Sequence, residues 1–217
     1  MGAMAVDHAA VFMIYVNGYG ALPIWGEIGL AMRLIGRVAF PLYAFMLVQG
    51  FLYTKDRIKY LVRLAALAVV SEIPFNLVAS GHVFYPKEQN TVLLLCIGLA
   101  VMEGIERLTG SGRRAAAFFT VAAGMLLALV TRADYGAYGL LFILVLYWFR
   151  NSPVERNLAG AAVLMLSEGA FYGLAAMIAF FFMNRYNGEK GEDLGRLPYV
   201  FYPVHLLIIY AAGVLIL

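Results

Sequence analysis

The sequence predicts an all-α fold: a polytopic integral membrane helical bundle of about nine transmembrane helices, forming one domain over residues 1–217. Three observations predict it. Hydrophobic residues make up 63% of the chain and charged residues 13%, against roughly 25% charged in an average soluble domain, and the mean hydropathy is +0.82. Apolar runs of helical length follow one another from end to end with no polar domain between them. Lys and Arg collect in alternate connections, as the positive-inside rule requires of a chain that crosses a bilayer repeatedly. The same clustering accounts for the net charge of +3 and the pI near 9, so the basic balance points to a membrane-lipid partner and to no nucleic acid.

Helix one is expected over residues 1–16, followed from Asn17 by an Asn-Gly-Tyr-Gly-Ala-Leu-Pro turn without Lys or Arg. This helix lacks the charged n-region and cleavage site of a signal peptide. It falls short of the roughly 20 residues that cross a bilayer, so it is expected to begin upstream or to be only partly embedded. Helix two is expected over residues 27–53, helix three over 58–79 and helix four over 90–107, and helix five follows the cationic connection that ends at Arg114 and runs to about 130. Helix six follows over 135–149, helix seven over 154–166, helix eight over 169–184 and helix nine over 198–217. The connections after helices two, four, six and eight hold most of the cations; the others hold little beyond Lys87 and Arg132. That alternation places the N-terminus in the cytoplasm and the C-terminus outside. Helix seven is too short for a hydrocarbon core of about 30 Å at 1.5 Å per residue, which makes it half of a re-entrant or tilted pair with helix eight. The single cysteine, Cys96, lies in an apolar run and is read as a packing residue, with no intramolecular disulfide.

Against this apolar background, Arg33 and Arg37 stand out in the run RLIGRVAFPLYAFMLVQG. A charge at bilayer depth costs about 2.5–3.5 kcal/mol on insertion scales and survives with a partner or a water-filled cavity. Four residues apart, the two arginines share one helix face. The anions at overlapping depth are Asp7 and Glu72, with a substrate anion as a third option. Asp7 and His8 are adjacent and point about 100° apart on a helix, so Asp7 is assigned to the arginines and His8 is left for proton transfer near neutrality. The plainer readings are a neutral histidine bonded to a backbone carbonyl and an ion pair that only locks helix register. His205 stands in helix nine, where Pro203 frees a carbonyl one turn back that could hold it. Asn76 lies beyond Glu72 in SEIPFN. His82 is expected in solvent, Glu103 and Arg107 as an interfacial i, i+4 pair, Glu168 in a tight outer turn, and Asp134 as the cap of helix six. No Gly-x-Ser-x-Gly elbow, phosphate-binding loop, His-Glu-x-x-His or Cys-x-x-Cys occurs, and three scattered histidines with one cysteine give no metal-ligand spacing.

The segments GRVAFPLYAFMLVQGF with TKDRIKYLVRL, then SEIPFNL, then YNGEKG followed by YVFYPVHLLI, preceded by the Asp7-His8 pair, resemble the TraX family over nearly the whole chain. The family's namesake acetylates the N-terminus of F-type conjugative pilin and is related to polytopic membrane acyltransferases that draw on acyl-CoA. The resemblance implies an acetyltransferase of the bacterial cytoplasmic (inner) membrane. Its donor would be acetyl-CoA and its acceptor an amine or hydroxyl of an envelope protein or glycan, pilin in the namesake. It implies His8 as the base, and Arg37 with Arg33 at the developing oxyanion, beside Asp7. Arg33, Glu72, Asn76, His205 and Tyr202 form the substrate-binding or charge-network set. The phosphates of the donor would meet cations among Lys55, Arg57, Lys59, Arg113, Arg114, Lys190 and Arg196. The alternative is a proton- or anion-coupled transporter built on Asp7, Arg33, Arg37 and Glu72. Against it stand the lack of an inverted repeat and the confinement of polar residues to the first three helices and helix nine.

Overall fold

The computed structural model describes residues 1–13, 23–189, 191–192 and 195–216. The turn expected at Asn17, the end of helix one, Lys190 and Leu217 lie outside the described residues. The described residues are mainly helical, with no β-strand among them. In chain order the helices are α1 (Gly2–Val11), α2 (Pro23–Gly36), α3 (Ala39–Tyr53), α4 (Arg57–Ser80), α5 (Thr91–Gly110), α6 (Arg114–Val130), α7 (Gly136–Trp148), α8 (Pro153–Ala176), α9 (Ile178–Asn184) and α10 (Leu197–Ile216). Among the described residues, four stretches are long and apolar enough by length and composition to cross a membrane: Gly26–Tyr53, Arg57–Ser80, Pro153–Ala176 and Leu197–Leu215.

The single second helix expected from the sequence is two, α2 and α3, separated by a turn at Arg37 and Val38. Pro41 explains where it breaks. Its nitrogen has no hydrogen to donate to the carbonyl four residues back, and its ring crowds that carbonyl; the residue four back is Arg37. The break therefore falls on the arginine that the site uses. At the start of α4, Asp56 accepts from the Lys59 amide at 2.9 Å, and at the start of α5 Asn90 accepts from the Leu93 amide at 3.2 Å, both regular N-caps. The cap expected at Asp134 does not form. Tyr135 holds the N-cap position of α7 in the left-handed region, at φ 64°, with no side-chain cap bond, and Asp134 turns inward.

The α8 stretch is not a straight rod. Gly169 has φ 76° and ψ 167°, a region open essentially to glycine, and the chain reverses there. A Cβ on Gly173 would stand 2.9 Å from the Met165 backbone, and one on Gly160 would stand 2.9 Å from the Phe180 ring; Arg156 donates to Asn184. In a continuous helix, residues 165 and 173 would be about 12 Å apart. The segment up to Glu168 and the segment after it, with α9, therefore pack as an antiparallel helical hairpin, the pairing expected of helices seven and eight.

The core lies along α5 and α7, where Leu94, Leu99, Met102, Leu140, Phe142, Ile143 and Leu144 are fully buried. In contrast, α6 turns Phe118, Phe119, Leu126, Leu129 and Val130 outward, as a face toward lipid would. Lipid tails are as apolar as leucine, so helices in a membrane associate by close fit at small residues. A Cβ on Gly124 of α6 would overlap the Val101 side chain of α5.

Polar contacts tie the connections together at two ends of the bundle. At one end Gln89 pairs with the strand-like turn at Arg132 to Asp134, its amide to the Arg132 carbonyl at 3.0 Å and its carbonyl to the Asp134 amide at 3.1 Å. At the other, Arg57 donates to Glu103 at 3.2 Å and to Glu106 at 3.3 Å, and the Tyr147 hydroxyl donates to Glu106 at 2.9 Å. Glu103 also takes the expected bond from Arg107, and His82 is exposed in its connection.

Candidate active site

Asp7 on α1 stands between the two arginines. Arg33 donates to one of its oxygens at 2.7 Å, and Arg37 reaches both at 3.2 and 3.3 Å. The approach is close because residue 36 is glycine: a Cβ there would overlap Asp7 Oδ1. Arg37 has a second carboxylate, at 2.5 Å, and it is Glu168 at the tip of the α8 hairpin. The expectation that Glu72 would fill this place is corrected. Glu72 accepts from Asn90 at 2.6 Å, and Asn90 also donates to the Ala68 carbonyl at 2.9 Å, so Glu72 serves the junction of α4 and α5. Asn76 donates to the Val83 carbonyl at 3.1 Å and serves the same connection. Glu168 was expected to be an ordinary turn residue; as a site residue it was missed.

Two guanidiniums and two carboxylates make a group of net charge zero. That is what burial demands, since an uncompensated ion away from water is costly while a paired one is tolerated. Arg37 is 8% exposed, and its guanidinium also lies 5.9 Å from the Tyr135 ring and 5.7 Å from the Tyr172 ring, within cation–π range. Nearby, in the connection between α6 and α7, Asp134 accepts from the Thr91 hydroxyl at 2.6 Å. Burial pushes its carboxyl up to about 6, against the lowering influence of the Thr91 bond and the Arg37 charge.

Beside this group lies a histidine pair. His8 Nδ1 and His205 Nε2 are 2.9 Å apart, and His205 Nδ1 is 2.8 Å from the Phe201 carbonyl oxygen. The carbonyl is one turn back on α10, and it is that of Phe201, not the carbonyl freed by Pro203, which is four residues before the proline at Tyr199. The hydrogen-bond network assigns the tautomers. A carbonyl only accepts, so Nδ1 of His205 carries the proton; neutral His205 then presents Nε2 as an acceptor, and His8 Nδ1 must be the donor. The proton of neutral His8 is thereby fixed on Nδ1. Its Nε2 is left as a bare lone pair with no hydrogen bond among the described residues. Both rings are buried, at 9% and 6% exposure.

His8 opens onto a cavity of about 290 Å³. Its polar part is lined by Asp7, His8, Thr91, Asp134 and Tyr202, and its walls by apolar residues of α3, α4 and α5 such as Leu47, Leu64 and Leu95. Along α3 it runs from Ala39 to Leu47, eight residue steps, roughly 12 Å at 1.5 Å per step. Tyr60, Pro198 and Tyr199 line it near the starts of α4 and α10, where the exposed Lys59, Arg63 and Arg196 stand. Arg57 is committed to its two glutamates. Among the described residues no group of His, Cys, Asp and Glu is arranged to hold a metal ion.

A family model described as TraX protein matches residues 1–212. A probable fimbrial assembly protein, FimC of serogroup H1 from Dichelobacter nodosus, is 25% identical over 235 aligned positions, covering 97% of this chain and 91% of that protein. No solved structure matches.

Proposed function

The chain belongs to the TraX family, and from that premise we propose that it is a membrane acyltransferase moving acetyl from acetyl-CoA to an amine or hydroxyl of an envelope acceptor. The acceptor we favour is the N-terminus of a pilin, in keeping with the fimbrial assembly role in the relative's name. The proposed setting is the bacterial inner membrane, crossed several times with the N-terminus in the cytoplasm. The observation that carries the reading is the bare Nε2 of His8, held by a chain of two hydrogen bonds at the polar end of a largely apolar cavity.

In this reading the acetyl thioester reaches His8 along the apolar cavity, with the phosphates of the donor left among the cations near Tyr60 and Tyr199. The acceptor nitrogen or oxygen attacks the thioester carbonyl carbon while His8 Nε2 takes its proton. The imidazolium so formed shares its charge with His205 through Nδ1 and later returns a proton to the departing thiolate. Asp7, Arg33, Arg37 and Glu168 hold α1 and the hairpin tip in register around His8. The anion-transporter alternative is weakened by the same geometry, because both arginines already have carboxylate partners.

The test is transfer from radiolabelled acetyl-CoA to a pilin N-terminal peptide by protein reconstituted in liposomes. His8→Ala is expected to lower the rate by roughly 10²- to 10⁴-fold. Undiminished transfer in that variant would remove His8 from the chemistry, and anion uptake into the liposomes without any acyl donor would favour transport.

A further inference from the structure

We propose that the Tyr202 hydroxyl is the oxyanion donor of this site, the group that hydrogen-bonds the carbonyl oxygen of the acyl thioester as it becomes negative. The proposal rests on the acyl-transfer reading and gives it a residue that no comparison assigns.

The family resemblance implied arginine for this role, but Arg37 gives both terminal nitrogens to carboxylates and Arg33 gives one to Asp7. Arg37 Nε is buried without a partner and Arg33 bonds Asp7 through one nitrogen, but neither arginine lines the cavity. Tyr202 does line it. The residue is 5% exposed and its buried hydroxyl makes no hydrogen bond of regular geometry. Its polar neighbour on the cavity wall is Thr91, which gives its own proton to Asp134 and so meets Tyr202 only as an acceptor, in a contact short of regular geometry that a carbonyl oxygen would replace. The Tyr202 ring meets His8 edge-on at 6.1 Å and His205 at 5.6 Å. One turn of α10 therefore presents both the residue that holds the base and an O–H donor without a regular hydrogen bond. A buried hydroxyl without a partner costs stability in the resting protein. A site that keeps one beside a base has a donor ready for charge that develops only during reaction.

The step balances. The acceptor N–H or O–H proton goes to His8 Nε2, the new bond forms at the carbonyl carbon, and the electron pair of the C=O moves to oxygen, where Tyr202 O–H bonds it without giving up its proton. Collapse re-forms C=O and expels the thiolate, which takes the proton from His8.

The experiment compares wild type, His8→Ala and Tyr202→Phe in liposomes, reading kcat and KM for acetyl-CoA and inhibition by S-ethyl-CoA, a thioether with no carbonyl. Tyr202→Phe keeps the ring and is expected to lower kcat by roughly 10²- to 10³-fold, with S-ethyl-CoA inhibition unchanged and thermal stability equal or higher. Turnover within twofold of wild type, while His8→Ala is inactive, would overturn the role of Tyr202 and leave the acyl-transfer reading standing. Weakened S-ethyl-CoA binding would also overturn it, as a donor-binding effect. Absence of transfer by wild type from acetyl-CoA and from longer acyl-CoA thioesters would end both. Should Tyr202→Phe not fold, 3-fluorotyrosine at position 202 replaces it: a more acidic phenol must change kcat, and an unchanged rate overturns the proposal.

Discussion

His8 and His205 share one hydrogen bond of 2.9 Å across 197 positions of sequence. It fixes which nitrogen of His8 is bare. Removing the acceptor with His205→Ala frees the His8 ring to turn and to change tautomer. The expected loss is roughly 10- to 100-fold in kcat, the scale seen when a group that orients an imidazole is deleted, with KM for the donor unaffected. His205→Gln, whose side-chain oxygen can still accept from Nδ1, should recover part of it. Equal losses in the two variants would show that the bond orients nothing.

Arg37 bridges two carboxylates from elements far apart in the chain, Asp7 on α1 and Glu168 on the hairpin tip. Arg37→Ala leaves both acids short of a partner and should destabilise the protein by about 3–5 kcal/mol, read as thermal unfolding in detergent. Arg37→Met combined with Glu168→Leu removes one charge of each sign and should regain much of that loss. A double variant as unstable as the single one would mean that the pair is not coupled.

Gly169→Ala places a Cβ at φ 76° and ψ 167°, which costs on the order of 1–3 kcal/mol. Gly110→Ala, where a Cβ meets nothing within 4 Å and φ is not positive, should stay within about 0.5 kcal/mol. If the two melt alike, the reversal is not held by glycine.

Asp134 gives a pH dependence. Its carboxyl is pushed up to about 6 by burial, so between the ordinary carboxylate range and that value the folded protein keeps a proton that the unfolded chain has lost. Stability therefore falls as pH rises through this window and is level above it. Asp134→Asn should flatten the melting temperature between about pH 4 and 6; a slope unchanged from wild type would assign the dependence to another group.

Much of the helix order was legible because apolar runs and Gly and Pro punctuation are local signals. The pairing of helices seven and eight could be read from length, since helix seven is too short to cross by itself. The Asp7–arginine contact was also legible, because a buried charge needs an opposite charge and few were available. Glu168 was not. An acid in a turn between two helices looks like a solvated residue, and only the fold-back at Gly169 carries it to Arg37. Glu72 misled for the reverse reason: it lay at the right depth, but depth does not fix the direction in which a helix faces, and Asn90 claimed it. The break at Arg37 had a visible cause in Pro41, four residues on. Its consequence, that the site's arginine sits where the helix yields, needed coordinates.

The reversal at Gly169 also bears on how the chain is threaded. A hairpin returns to the side it left, whether its tip reaches the far leaflet or stops halfway, so the segment from Pro153 to Asn184 adds an even number of crossings or none. The side on which α10 begins is therefore independent of how deep that hairpin sits. Topology reporters fused just before Pro153 and just after Asn184 should face the same compartment, and shortening the hairpin would alter the depth of its tip without inverting α10.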